Sequence, residues 1–295
     1  MGFAALNPSY VVFMNYRHAF HAGNFADVVK HAVLARVVAH LREKQTAFRI
    51  IDTHAGAGLT DLTGPEASRT GEWRNGIGRL VAAELKPPIR ALLAPYLDAV
   101  AKYNAPGRLR AYPGSALLAA SWLRPQDRLI ACEVVPQAAR ALAQALHTDR
   151  RAKVIAVDGW TALAAYLPPK ERRGLVLIDP PFEAPGELDR LPEELARAHR
   201  KWATGIYLLW YPVKNLRAVE RLARNVAGLG VAKILRTEVR VAAPKDETLI
   251  GSGLLMVNPP WRLATELESL LPALAAVLGR DGAGTCRLDR LAREK

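Results

Sequence analysis

The stretch Gly174-Leu175-Val176-Leu177-Ile178-Asp179-Pro180-Pro181-Phe182 reads as a buried strand that stops abruptly. Aliphatic side chains fill 175–178 without a polar interruption, the pattern of a strand covered on both faces. Prolines cannot continue a hydrogen-bonded ladder, so the strand ends before them. Asp179 is left at its carboxyl end.

Working outward, the pattern recurs. Phe48–Asp52, Arg128–Glu133 and Lys153–Asp158 each read as a strand ending in an acid. Gly205–Trp210, Val231–Val241 and Gly253–Asn258 complete seven strands. Helical spacing falls between most of them, at 136–147, 160–167, 192–202 and 215–229. Another helix is expected over 263–278. Strands alternating with helices predict right-handed crossovers and a mostly parallel sheet. The last two strands lack an intervening helix, which predicts an antiparallel pair at that edge. Ahead of the sheet, Asn24 and Asp27 mark a helix start, and Val29, Val33, Val37 and Leu41 carry helical spacing over 28–44. From Leu59 to Gln126 the rhythm breaks, with prolines at 87, 88, 95, 106 and 113. That interval is too long for a loop and reads as a helical insertion. The expected organisation is 1–58 (N-terminal motif, first helix, first strand), 59–126 (insertion) and 127–295 (the rest of the sheet domain).

The chain has 295 residues, half of them hydrophobic, enough for a sizeable core. Lys and Arg number 41 against 28 Asp and Glu, a net charge of +13. Such an excess favours a polyanionic partner, because cations on phosphates release condensed counterions. The two cysteines, Cys132 and Cys286, are far apart and form no CxxC pair, which argues against a disulfide framework or a zinc site. No apolar run is long enough to span a bilayer, and the first residues do not read as a signal peptide. A reducing cytoplasm fits.

Four loops carry the chemistry. Asp52-Thr53-His54-Ala55-Gly56-Ala57-Gly58 follows the first strand, and its glycines let a ligand approach backbone closely. Glu133 is placed to accept hydrogen bonds from ribose hydroxyls, and Asp158-Gly159 to read the edge of an adenine. Each of these alone is also an ordinary strand end or turn. The decisive loop is Asp179-Pro180-Pro181-Phe182. An exocyclic adenine amine is a poor nucleophile because its lone pair is delocalised. Asp179 can accept one amine hydrogen and the Pro180 carbonyl the other, which localises the lone pair. Phe182 offers a face to an unstacked base. The expectation is methyl transfer to adenine N6 in nucleic acid, with Asp179, Pro180 and Phe182 as catalytic residues. Tyr211-Pro212-Val213 could line the target pocket or merely cap its strand. His18, His21 and His31 could be metal ligands, but no cysteine or carboxylate set completes a site, so no metal is expected.

The ensemble resembles a known family. Tyr16-Arg17-His18, His21-Ala22-Gly23-Asn24, Lys30-His31, the 52–58 loop, Tyr112-Pro113-Gly114-Ser115, Asp179–Phe182, Trp210–Val213 and Asn258-Pro259-Pro260-Trp261 together resemble the ribosomal RNA large subunit methyltransferase J family. The resemblance implies a class I S-adenosylmethionine-dependent methyltransferase: a Rossmann-like, seven-stranded, mostly parallel α/β sheet with an antiparallel edge and a small helical insertion. It implies methylation of N6 of one adenine in 23S rRNA, without a metal; a monomer is expected. Cofactor contacts would fall on His31, His54, Ser115, Glu133, Asp158, Gly159 and Asp179. Tyr16 would stand at the entrance to the target pocket, with His18 and Lys30 as RNA-side neighbours. The chain departs from the family in ending its loop in Phe182 rather than tyrosine. It also carries residues 1–13 ahead of the usual start, which read as an extension before Met14. The alternatives are a DNA adenine-N6 methyltransferase, disfavoured because no separate sequence-reading domain is evident, and a non-catalytic RNA-binding scaffold, disfavoured because Asp179 and the glycine loop are intact.

Overall fold

The computed structural model describes residues 18–183, 186–245 and 248–292. Asn24 starts the first long helix. Its side chain accepts the N–H groups of Ala26 and Asp27 at 2.9 and 3.0 Å, a cap that contributes about 1 kcal/mol. Helix α1 (Phe25–Arg42) is buried nearly all round and leads into β1 (Arg49–Asp52).

The next interval holds β2 (Leu59–Asp61), α2 (Pro65–Thr70), a 3-10 turn (Glu72–Asn75), α3 (Ile77–Ala82), α4 (Pro87–Ala101), β3 (Ala111–Pro113) and α5 (Ser115–Trp122). β2 and β3 pair as a small antiparallel ribbon. α4 packs on α1, and α5 packs on both α1 and β1. The apolar residues of this interval therefore join the core on one face of the sheet.

The rest of the chain runs β4 (Arg128–Cys132), α6 (Pro136–Ala145), β5 (Ala152–Ile155), α7 (Gly159–Ala165), β6 (Gly174–Ile178), α8 (Glu187–Lys201), β7 (Ile206–Val213), α9 (Leu216–Ala227), β8 (Ile234–Arg240), β9 (Gly251–Val257), α10 (Leu263–Leu278) and β10 (Thr285–Ala292). The main sheet has the order β10-β8-β9-β7-β6-β1-β4-β5. β5, β4, β1, β6 and β7 are mutually parallel. β9 enters between β7 and β8, antiparallel to both. A second core, from α7, α8 and α9, covers the other face.

Three expectations are corrected. The sheet has eight strands, not seven, because β10 pairs antiparallel with β8 and forms the edge. No element was expected beyond the helix at 263–278; β10 carries Arg287, Asp289 and Arg290, and charge on an edge strand is what discourages further pairing. Helix α8 begins at Glu187, a turn before the expected 192, with Pro192 inside it. Glu187 and Asp189 occupy its first turn, where carboxylates are favoured. Third, β5 stops at Ile155, so Asp158 is not a strand end. It is the N-cap of α7, accepting the N–H of Thr161 at 3.0 Å.

The chain order reverses at β1, which has β4 on one side and β6 on the other. In open α/β sheets the crevice beyond such a reversal is where ligands bind.

Candidate active site

A cleft of about 1360 Å³ opens at that crevice. The loops after β1, β4 and β6 converge there, because parallel strands deliver their carboxyl ends to one edge. Asp52 sits opposite Leu177 and Ala131 in the neighbouring strands, so Asp179 emerges two residues beyond its level.

The β1 loop is fastened at both sides. The N–H of Thr53 donates to Leu177 O at 3.0 Å, and that of Ala55 to Cys132 O at 2.9 Å. Gly56 has φ +64° and Gly58 +88°. A Cβ on Gly56 would meet no atom within 4 Å, whereas one on Gly58 would lie 2.9 Å from Leu142 Cδ1. Both glycines are thus required by their left-handed backbone conformation, and Gly58 also lies against the Leu142 side chain of α6. The Glu133 carboxylate holds the loop from the β4 side, accepting from Gly56 N and Val135 N at 2.8 Å each.

His54 is half-buried and neutral; desolvation, partly offset by Asp179, lowers its pKa to about 4. The Thr53 hydroxyl donates to Leu177 O at 2.9 Å, so it accepts from His54 Nδ1–H at 2.8 Å. That fixes the tautomer and leaves Nε2 an acceptor. The ring lies against Gly159, where a Cβ would come 2.6 Å from Nε2 and 2.5 Å from Thr53 O. Only glycine fits there. Asp158 has one oxygen committed to the cap of α7.

Ser115 starts α5 and donates its hydroxyl to Asp52 Oδ2 at 2.6 Å. Burial pushes the Asp52 carboxyl up to about 7, against the pull of that hydrogen bond. His31 is buried, with Nδ1 2.7 Å from the Tyr112 hydroxyl, itself 2.8 Å from that of Tyr96.

On the other side stands an ion triad. Lys30 Nζ lies 2.5 Å from Asp179 Oδ2 and 2.8 Å from Asp27 Oδ1. Burial alone would weaken the hold of Lys30 on its proton. The two carboxylates outweigh it and keep the ammonium charged well above the ordinary lysine range. The Trp210 ring stands 5.8 Å from Nζ and packs edge-on to Phe182 at 5.4 Å. Phe182 has φ +54°, a strained conformation for a bulky residue, costing about 1–3 kcal/mol. Strain of this kind collects at functional sites, and here it turns Phe182 to the cleft beside Pro180 and Pro181.

His31, His54, Ser115, Glu133, Gly159, Lys30, Asp179, Pro180 and Phe182 therefore border one cleft. Tyr16 lies outside the described residues, as do residues 1–13, and His18 begins the described chain in a short turn, His18–Phe20. Of 211–213, only Pro212 faces the cleft, with Trp210. Strand alternation sends Tyr211 to the opposite face, where its hydroxyl donates to the buried Glu238 at 3.0 Å. The N-terminal motif shapes the rim: His21 and Asn24 both reach Glu72, at 3.0 Å. Sequence reading passed over Asp27 and Asp52. Asp27 looked like a first-turn acid and Asp52 like the end of a strand; only their partners, far along the chain, set them apart.

A parallel sheet with this order, three strands in antiparallel pairing beyond β7, a glycine loop after β1 and an acid-Pro-Pro-aromatic loop after β6 define a class I methyltransferase fold. The chain belongs to the family described as Ribosomal RNA large subunit methyltransferase D, RlmJ, which matches residues 45–291. It is 40% identical to Ribosomal RNA large subunit methyltransferase J of Escherichia coli over 92% of this chain and 96% of that one. It is 38% identical to the protein of the same name from Haemophilus influenzae, over 95% and 100%. A crystal structure of a protein from Legionella pneumophila superposes with a TM-score of 0.84 at 33% identity, covering 92% of this chain and 98% of that one. Among the described residues no helix is long and apolar enough to cross a membrane.

Proposed function

We propose that the protein transfers a methyl group from S-adenosylmethionine to N6 of an adenine in 23S ribosomal RNA. The observation that carries this is Asp179, held at the cleft by Lys30, next to Phe182 and Trp210. Family membership supports ribosomal RNA as the substrate, and the charge of +13 agrees with a polyanion.

The cleft fits both ligands. Its volume exceeds the roughly 300–1,000 Å³ of ordinary small-molecule pockets, leaving space for a nucleoside beside a cofactor. The donor set suits an adenosyl group with an amino-acid tail. Glu133 would accept from ribose hydroxyls, and Gly159, packed against His54 and Thr53, would present its backbone to the adenine edge. Asp158, Ser115, His31 and His54 would complete the surroundings. S-adenosylmethionine supplies an electrophilic methyl group on a sulfonium.

The chain's own residues handle the nucleophile. Asp179 accepts one hydrogen of the target amine and the Pro180 carbonyl the other. The nitrogen moves towards tetrahedral geometry and its lone pair becomes available. The consecutive prolines Pro180 and Pro181 stiffen the loop and keep these acceptors aimed, so little reorganisation is needed during reaction. Phe182 and Trp210 give the unstacked base an aromatic support. No base need act first, because the proton leaves the nitrogen after the methyl arrives. Tyr16, His18 and Lys30 belong to the RNA side of the site. The protein acts as a monomer and without a metal.

Incorporation of tritiated methyl groups tests this reading. Protein-free 23S rRNA should accept label and duplex DNA should not. Label in duplex DNA alone would establish the DNA enzyme instead, and failure to bind S-adenosylmethionine in a calorimeter would favour the non-catalytic scaffold.

A further inference from the structure

Asp27 has no part in the reading above, yet it is one of the most constrained acids in the molecule. It is 3% exposed. Its Oδ2 accepts the N–H of Gly23 at 2.9 Å, and its Oδ1 lies 2.8 Å from Lys30 Nζ, one turn on in α1. Gly23 itself cannot shift easily. It has φ +73°, and Gly76 is pressed so close that a Cβ there would fall 2.1 Å from Gly23 O. The neighbouring interval thus locks the loop that aims Asp27.

The arrangement solves a problem at Asp179. As it stands, Asp179 Oδ2 is taken by Lys30. Oδ1 remains to accept from an amine, but a carboxylate pinned through Oδ2 cannot turn to aim Oδ1 without stretching the contact with that ammonium. Lys30 is buried and can only donate, so a lysine whose sole partner was Asp179 could not let go without leaving a bare charge in the interior. With a second carboxylate already in contact, it can.

We infer that Asp27 is a positioning residue: it retains the Lys30 ammonium while Asp179 turns its carboxylate to the target amine. The inference rests on the proposed adenine-N6 reading. Two carboxylates share one ammonium, so the Lys30–Asp179 contact is exchangeable rather than a permanent block. The groups facing the pair are few. Asp52 approaches from β1, the neutral His54 from the loop after it, Tyr96 from α4 and Tyr112 from β3, and the Trp210 ring from β7. Both tyrosines stay neutral, because burial holds their hydroxyls well above the usual range. Asp27 is then the group besides Asp179 that secures Lys30.

The test is Asp27→Asn, read in three ways on the full-length protein. In steady-state assays on 23S rRNA, kcat should fall roughly 10-fold, a coupling typical of touching charged residues, with the cofactor KM unchanged. Added to Lys30→Met, the same substitution should cost almost nothing further. With [13C]lysine-labelled protein, the Lys30 signal, assigned by its loss in Lys30→Met, should titrate at lower pH in Asp27→Asn. The Asn oxygen can still accept from Gly23, and binding of S-adenosylhomocysteine reports whether the fold survives. Should Asp27→Asn unfold, Asp27→Glu and Asp27→Gln supply the same comparison, with the glutamate keeping Lys30 charged. Equal losses with and without Lys30, or a Lys30 titration unmoved by removing the carboxylate, would overturn the inference. Wild-type protein that transfers no methyl group overturns the proposed function and takes the catalytic role of Asp27 with it. The lysine titration decides separately whether Asp27 secures Lys30.

Discussion

Lys30 Nζ and Asp179 Oδ2 lie 2.5 Å apart although 149 residues separate them. The contact ties α1, which precedes the sheet, to the loop that leaves its central strand. The side chain on which the reaction depends is thereby held from outside its own loop.

Asp179→Ala should reduce methyl transfer by about 10²- to 10³-fold, the scale for losing a preorganised hydrogen-bonding group at the reacting atom. The fold should persist, because Lys30 keeps Asp27 as a partner. Tritium incorporation beside a thermal melt checks both halves. Near-normal turnover would contradict the role given to Asp179.

Phe182→Gly should separate stability from function. Removing a bulky residue at φ +54° relieves strain, while the edge contact with Trp210 is lost. Relief of about 1–3 kcal/mol of strain opposes the loss of about 1 kcal/mol from the ring pair, so the melting temperature should not fall. The KM for RNA should rise roughly 10-fold through loss of base stacking. A large fall in melting temperature with an unchanged KM would mean that the ring serves packing alone.

Glu133→Ala should weaken cofactor binding by roughly 10- to 100-fold, as expected for a lost charged hydrogen-bond acceptor. Stability should also drop, since Gly56 N and Val135 N both lose their acceptor. Calorimetry with S-adenosylhomocysteine measures the first effect and denaturant unfolding the second.

Asp52 gives stability a pH dependence with a definite sign. Its folded pKa is raised from 3.8 to about 7, chiefly by burial. The native state therefore holds a proton that the unfolded chain has released. The contribution is complete below the ordinary aspartate range and is lost as pH rises to about 7. Asp52→Asn cannot ionise. It should be more stable than wild type above pH 7, by roughly 2–4 kcal/mol, and converge with it near pH 4. Urea unfolding across that range is the check; parallel curves would show that folding does not raise the pKa of Asp52.

The alternation of strands and helices was legible because parallel strands buried on both faces leave unbroken apolar runs, as at 175–178. β10 was not, since an edge strand carrying Arg287, Asp289 and Arg290 has the composition of a tail. Pro192 concealed the start of α8, although the acids at 187 and 189 marked it. In the site, the glycine loop and the acid-Pro-Pro-Phe loop could be seen because each is contiguous. The triad could not: Asp27 and Lys30 are one helical turn apart, but nothing local says that Asp179 will meet them. Asp52 was passed over for a similar reason, as its burial beneath Ser115 depends on how α5 packs.

The central claim is that an adenine N6 in 23S rRNA is the methyl acceptor. Mass mapping of 23S rRNA from cells with and without the gene tests it most directly. The account predicts one fragment lighter by a single methyl group when the gene is missing, its N6-methyladenosine replaced by adenosine, and restored by wild-type protein but not by Asp179→Ala. Identical maps from the two strains, or a missing methyl group on some other base, would contradict it.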